Sequence, residues 1–234
     1  SDYYEISDDL PGKVTTTVEG ECDTTIVGSC NLKIIAADQN GNKTTKDIVV
    51  NVVVNPNIEK LGMSEYYIKV NRVLNVVMVY ALDENGEYSG LVKTFVSSNG
   101  APGSETIIGT YTIANKYESL LLVGNVWGHY ATQISGPYLF HSVPYYNPGN
   151  PHWDDLEYEE YNKLGESASA GCVRLAVIDA KWIYCNVAAG TTVEIYDADT
   201  LPDGVVKPEA IKIDVNSANR GWDPTDLDLE NPWK

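Results

Sequence analysis

The sequence predicts a mostly β protein: a β-rich, sandwich-like main domain with a few short helices, preceded by a small β module. Three observations predict it. Short runs rich in Val, Ile, Thr and Tyr recur at regular spacing from Tyr66 to Tyr196, the pattern of many short antiparallel strands. Asn40-Gly41 and Asn85-Gly86 stand between such runs, where tight hairpin turns require a left-handed backbone. Helical periodicity is confined to one segment, in which Ala180, Ile183, Tyr184 and Val187 recur at i, i+3, i+4 and i+7. The 234 residues allow one large domain or two ordinary ones.

Residues 31–38 and 44–54 read as two strands joined by the polar turn at 39–43. The run Ala36-Ala37-Asp38-Gln39-Asn40-Gly41-Asn42 before a last strand resembles the turns of bacterial immunoglobulin-like cell-surface modules. Such modules usually have about a hundred residues, so residues 1–57 are expected to be a small or truncated Ig-like β module. Asn55-Pro56-Asn57 is the expected linker, because proline stops a strand. Cys22 and Cys30 lie close together in this stretch and read as a disulfide, which would mark an exported chain. Two unrelated buried thiols are the alternative.

The main domain is expected over residues 64–197. Residues 66–70 alternate, and 74–80 reads as a buried strand because its apolar run is nearly continuous. The turn Asp83-Glu84-Asn85-Gly86 returns the chain into a strand at 92–97, and further strands are expected at 110–113, 120–123, 128–134, 138–141 and 191–196. Asp179 suits the first turn of the one helix, and Gly190 can end it. Cys185, beside Trp182, is expected to be a small buried hydrophobe. Residues 198–234 are polar and form a C-terminal tail, either draped over the domain by its tryptophans or disordered.

Residues 147–168 interrupt this pattern. The segment carries Asp154, Asp155, Glu157, Glu159, Glu160 and Glu166 against Lys163. It is too long for a plain connection and reads as a lid or insertion with a short helix at 157–164.

Charge narrows the partners. Sixteen basic residues stand against 33 acidic ones, a net of −17. That disfavours nucleic acid, which needs basic patches. No apolar run is long enough to span a membrane. No export signal opens the sequence. An exported chain freed of its signal and a cytosolic chain fit that start equally.

The chemistry gathers at Ser167-Ala168-Ser169-Ala170-Gly171-Cys172-Val173-Arg174-Leu175. Small side chains let the backbone turn sharply and let a substrate approach the sulfur. Cys172 is read as a nucleophile at the mouth of a helix, where the dipole lowers a thiol pKa. The Gly171 and Cys172 N–H groups are candidates for an oxyanion hole. His141, ending a strand, is read as the base, with Ser142 orienting it by hydroxyl or carbonyl. A buried structural cysteine and a satisfied core histidine are the plainer readings. His129, Tyr130, Tyr145 and Tyr111 are candidates for the cleft wall, against plain packing on sheet faces. His152 reads as solvated. No His-x-x-x-His or Cys-x-x-Cys spacing occurs, so neither a metal nor a cofactor is expected.

At His141-Ser142 and Ser169-Ala170-Gly171-Cys172-Val173-Arg174 the chain resembles the L,D-transpeptidase, or YkuD, catalytic domain over about residues 65 to 197. The resemblance implies that Cys172 attacks the third, L-configured residue of a peptidoglycan stem and expels the terminal D-residue. A neighbouring stem's amine then takes the acyl group, giving a 3→3 cross-link. It also implies acylation by carbapenems, an extracellular, wall-associated location, Arg174 supporting the site or the substrate carboxylate, and Ser169 shaping the turn; Arg174, Ser169 and the cleft-wall candidates Tyr145, Tyr130 and His129 are the expected substrate contacts. Two departures stand out: Ala170 where the family commonly has His or Lys, and the long acidic insertion, whose charge either attracts an acceptor amine or is merely solvated. A third family stretch is present only as Thr106-Ile107-Ile108-Gly109, without its proline. The rivals are an L,D-carboxypeptidase using the same acyl-enzyme, a non-catalytic wall-binding protein, and a zinc hydrolase.

Overall fold

The computed structural model describes residues 15–20, 28–38, 41–52, 64–149 and 152–234. The chain divides into two compact units, Ser1–Pro56 and Asn57–Lys234. In the first, β1 (Thr15–Glu19), β2 (Gly28–Ala37) and β3 (Lys43–Val52) form one antiparallel sheet in the order β1-β2-β3. Asp38 closes the β2–β3 hairpin by accepting the Asn42 N–H on Oδ1 at 2.8 Å, and Gly41 takes φ +87° there. Ile34 and Ala36 are buried while Val18 and Val49 are more than half exposed. The described residues of this unit form one sheet and no second, so the immunoglobulin-like reading gains no support. Cys30 is disulfide-bonded; its expected partner Cys22 lies outside the described residues.

The second unit is also mostly β, as the sequence predicts. Its larger sheet runs β6-β5-β4-β12-β7, built from β4 (Tyr66–Asn71), β5 (Val76–Leu82), β6 (Tyr88–Val96), β7 (Gly109–Thr112) and β12 (Thr192–Tyr196). The smaller sheet runs β11-β10-β9-β8, built from β8 (Lys116–Leu122), β9 (Val126–Ser135), β10 (Tyr138–Ser142) and β11 (Val173–Leu175). Ile68, Val77, Phe95 and Ile195 of the first sheet share one core with Phe140, Val173 and Leu175 of the second. Helix α2 (Val177–Asn186) adds Ala180 and Ile183 to that core, and Val187 follows it in. Trp182 packs edge-on against Tyr66 and near Phe95. Cys185 is exposed, contrary to expectation: it falls one residue past Tyr184, off the buried face.

The polar segment after β10 is tied down rather than loose. Leu156, Tyr161 and Leu164 are buried in a second core with Val143, Tyr145, Val177 and Ile213. They flank a single helical turn, α1 (Tyr158–Tyr161), and leave Asp154 and Glu159 exposed. The tail without strands or helices packs here too. Ile213 N–H donates to Asn162 Oδ1 at 2.7 Å, and Leu156 N–H donates to the Gly221 carbonyl at 2.8 Å. No helix among the described residues is long and apolar enough to cross a membrane.

Candidate active site

β10 and β11 are parallel neighbours, with His141 opposite Arg174 and Phe140 opposite Val173. Side chains alternate along a strand, so this register sorts them. Phe140, Val173 and Leu175 enter the core, while Leu139, His141, Cys172 and Arg174 line one cleft of about 170 Å³. Pro137 and Ala170 continue the two rows, and Leu122, Val123 and Val126 of the β8–β9 hairpin close it with an apolar wall. Thus the two residues that the sequence pairs do share one cavity.

The cysteine is placed by a polar turn. Gly171 N–H donates to Ser169 Oγ at 3.1 Å, and Ser169 Oγ–H donates to the Cys172 carbonyl. Gly171 holds φ +119°, and a Cβ there would meet Tyr138 Cε1 at 3.0 Å. Ser169 therefore shapes the turn and is itself buried. The Gly171 N–H is spent on that bond and is not open to an oxyanion. The Cys172 N–H donates to no carbonyl or side chain among the described residues.

The helix-dipole argument for Cys172 does not hold. Val173–Leu175 is a strand, not the first turn of a helix, and it separates the cysteine from α2. Burial instead pushes the thiol pKa up, against smaller lowering effects of the Leu139 N–H and the Arg174 charge. The thiol donates to the Pro137 carbonyl at 3.5 Å.

His141 is buried, and burial pulls its pKa down to about 4 despite the bond it makes to a carbonyl. That bond runs from Nδ1 to the Ser142 carbonyl at 2.6 Å. A carbonyl only accepts, so Nδ1 carries the proton and Nε2 keeps its lone pair. Gly128 presses on the ring: a Cβ there would reach Nδ1 at 2.9 Å. The Ser142 hydroxyl plays a different part, accepting the His129 N–H at 3.0 Å and donating to the Val143 carbonyl at 2.8 Å. The orienting group is thus the carbonyl of Ser142.

Arg174 lines the cleft and pairs with Glu160 of α1 through Nη1. Burial raises the Glu160 carboxyl, but Lys163, at 2.6 Å, and Arg174 outweigh it and hold it below its ordinary value. The other expected contacts are not in this cleft. Tyr145 is fully buried in the second core, because Trp127 and Leu156 bridge to its backbone on either side. His129 is fully buried, stacked on Trp153 with centroids 3.6 Å apart, and pulled down to about 3 by burial and then by the nearby His141. Tyr130 lines a different cavity, and the Tyr111 hydroxyl donates to the Ile108 carbonyl. Asp154, Asp155, Glu157 and Glu159 do not line the cleft either. His152 pairs with Asp228 at 2.9 Å rather than standing free in solvent. No cluster of three or more metal-ligating side chains occurs among the described residues.

Sequence reasoning missed the hairpin wall, Gly128 and Glu160. Val123-Gly124-Asn125 was a legible turn signal, since Gly124 and Asn125 both take positive φ. Nothing local marks Glu160 among its acidic neighbours.

A model of the L,D-transpeptidase catalytic domain matches residues 65–195. A Bacillus subtilis protein carrying a provisional L,D-transpeptidase name, YciB, is 43% identical over 60 residues, 26% of this chain and 28% of its own length. The chain thus spans little more than a quarter of that relative. A fused zinc-dependent amidase/peptidase/peptidoglycan-binding-domain protein of Clostridium acetobutylicum is similar at 26% identity and TM-score 0.43, covering 63% of this chain and 66% of that one. An L,D-transpeptidase of Mycobacterium smegmatis is similar at 15% identity and TM-score 0.46, covering 77% and 82%.

Proposed function

Since the chain belongs to the family of YkuD L,D-transpeptidase catalytic domains, we propose that it cross-links peptidoglycan stem peptides through a Cys172 thioester. One observation carries the reading: Cys172 and His141 line one cleft from neighbouring parallel strands, with the imidazole's Nδ1 held by a carbonyl. The thiol turns from Pro137 to His141 Nε2 and loses its proton as the sulfur attacks the carbonyl carbon of the stem's third residue. With the thiol raised and the imidazole lowered, the resting pair is neutral, so transfer accompanies attack. The new C–S bond forms a tetrahedral oxyanion facing the Cys172 N–H. Collapse breaks the C–N bond, and the imidazolium returns its proton to the departing D-residue amine. An acceptor amine then attacks the thioester, gives a proton to Nε2, and restores the thiol as the C–S bond breaks.

A polymeric wall substrate supports an extracellular site of action, and a strained β-lactam carbonyl fits the same attack. The test is intact-mass spectrometry after mixing with a carbapenem: wild type gains one adduct and Cys172→Ala gains none. An unmodified wild type, or an adduct on Cys172→Ala, overturns the reading. Muropeptide products then separate outcomes: dimers mark transfer, and trimmed monomers mark hydrolysis.

A further inference from the structure

A second cavity, of about 390 Å³, shares no residue with the Cys172 cleft. Trp153 and Tyr130 give it aromatic surface, 5.2 Å apart and edge-on. Glu118, Asp226 and Asp228 offer acceptors, and Lys181 and His152 offer donors. Lys181 Nζ stands 5.4 Å over the Tyr130 ring. The Asp228 hydrogen bond raises the His152 pKa, which favours its cationic form. Tyr130 holds φ +51°, a conformation that is an outlier for a bulky aromatic residue. The His129 ring stacks on Trp153, and the Tyr145 ring stands 6.3 Å from it.

This mixture discriminates among ligands. Three carboxylates oppose a phosphate or carboxylate ligand, and two cations oppose an ammonium ligand. A neutral polyol matches both kinds of group, its hydroxyls donating to the carboxylates and accepting from Lys181 and His152. Its apolar C–H face suits an aromatic wall, and pockets of this size hold small organic ligands. The position is also telling. Glu118 and Tyr130 sit on the same hairpin as Leu122 and Val126, which line the Cys172 cleft. Four residues of strand separate the two places, roughly 13 Å, a span that about four extended peptide residues cover.

We propose that this cavity binds a saccharide, the glycan from which a stem peptide runs along the β8–β9 hairpin to Cys172. The identity of the sugar rests on the function proposed above; the chemistry of the cavity does not. Calorimetric titration of the full chain with a peptide-free N-acetylglucosamine oligosaccharide shows saturable binding. Lys181→Met and Asp226→Asn each weaken it about three- to tenfold, the effect of one lost hydrogen bond. Both variants keep the wild-type rate of carbapenem acylation and raise KM only for a glycan-linked stem, not for a free tetrapeptide. Saccharide binding that neither variant alters, or binding of lysine amide in place of the saccharide, overturns the proposal. No saccharide binding with intact acylation of Cys172 also overturns it and leaves the transpeptidase reading standing. Saccharide binding with an inert Cys172 supports the cavity and overturns the transpeptidase reading instead.

Discussion

His141 and Cys172 are each displaced by burial toward the uncharged form, and this sets the expected pH response. A base held near pKa 4 stays ready down to much lower pH than a free imidazole at 6.5. The rate of Cys172 acylation is expected to stay level from about pH 8 to pH 5 and to fall as His141 is protonated near pH 4. A stopped-flow pH profile checks this; a fall centred near 6.5 would mean a solvent-exposed ring. The Arg174 guanidinium adds a positive charge that favours thiolate while disfavouring imidazolium. Glu160 and Lys163 therefore act on the reacting pair at one remove, by fixing where that charge sits.

At the scale of elements, α2 depends on residues far away in sequence. Its N-cap, Ala176, has no side-chain oxygen to offer. Asp223 Oδ2 accepts the Val177 N–H at 2.8 Å instead, and Thr225 Oγ1 accepts the Ile178 N–H at 3.3 Å. Two orphan donors at the helix start are thus satisfied by the tail. Asp223 is fully buried and also accepts from the backbone and hydroxyl of Thr225. Asp223→Ala strands these donors and is expected to cost roughly 1–3 kcal/mol. Urea denaturation measures it; a midpoint unchanged from wild type would show the tail to be dispensable. The β8–β9 hairpin is the other element that matters, since its tip walls the cleft and its base walls the second cavity.

For the whole molecule, buried histidines and buried carboxyls pull stability in opposite directions as pH changes. His129 and His141 are held near 3 and 4, below 6.5. Between those values the unfolded chain binds protons that the folded protein refuses, so their stabilisation is present above pH 6.5 and lost toward pH 4. Asp179 runs the other way. Burial, and then the neighbouring Asp223, raise it from 3.8 to about 7, so its contribution is lost as pH rises through that window. Asp223, fully buried, is raised in the same direction as Asp179, and the two histidine shifts are expected to outweigh these carboxyls where the windows overlap. The melting temperature is expected to fall from pH 6 to pH 4, and Asp179→Asn to remove the loss between pH 5 and 7. A melting temperature that rises on acidification would contradict the balance.

What the sequence determined by itself was local. Alternation and turn signals located the strands, because side-chain period and left-handed turns depend on neighbours in the chain. The Cys172 and His141 motifs were legible because reactive residues among small or strand-ending ones are informative without a fold. Tertiary structure decided the rest. Register across β10 and β11 put His141, Cys172 and Arg174 on one face, and burial set the direction of their pKa shifts. Tyr145 and His129 passed from cleft to core, and an acid from the insertion became the partner of Arg174. Such outcomes depend on what packs against a residue from elsewhere in the chain. Solvent exclusion and cross-strand register are properties of the assembled sheets, which no short stretch of sequence encodes.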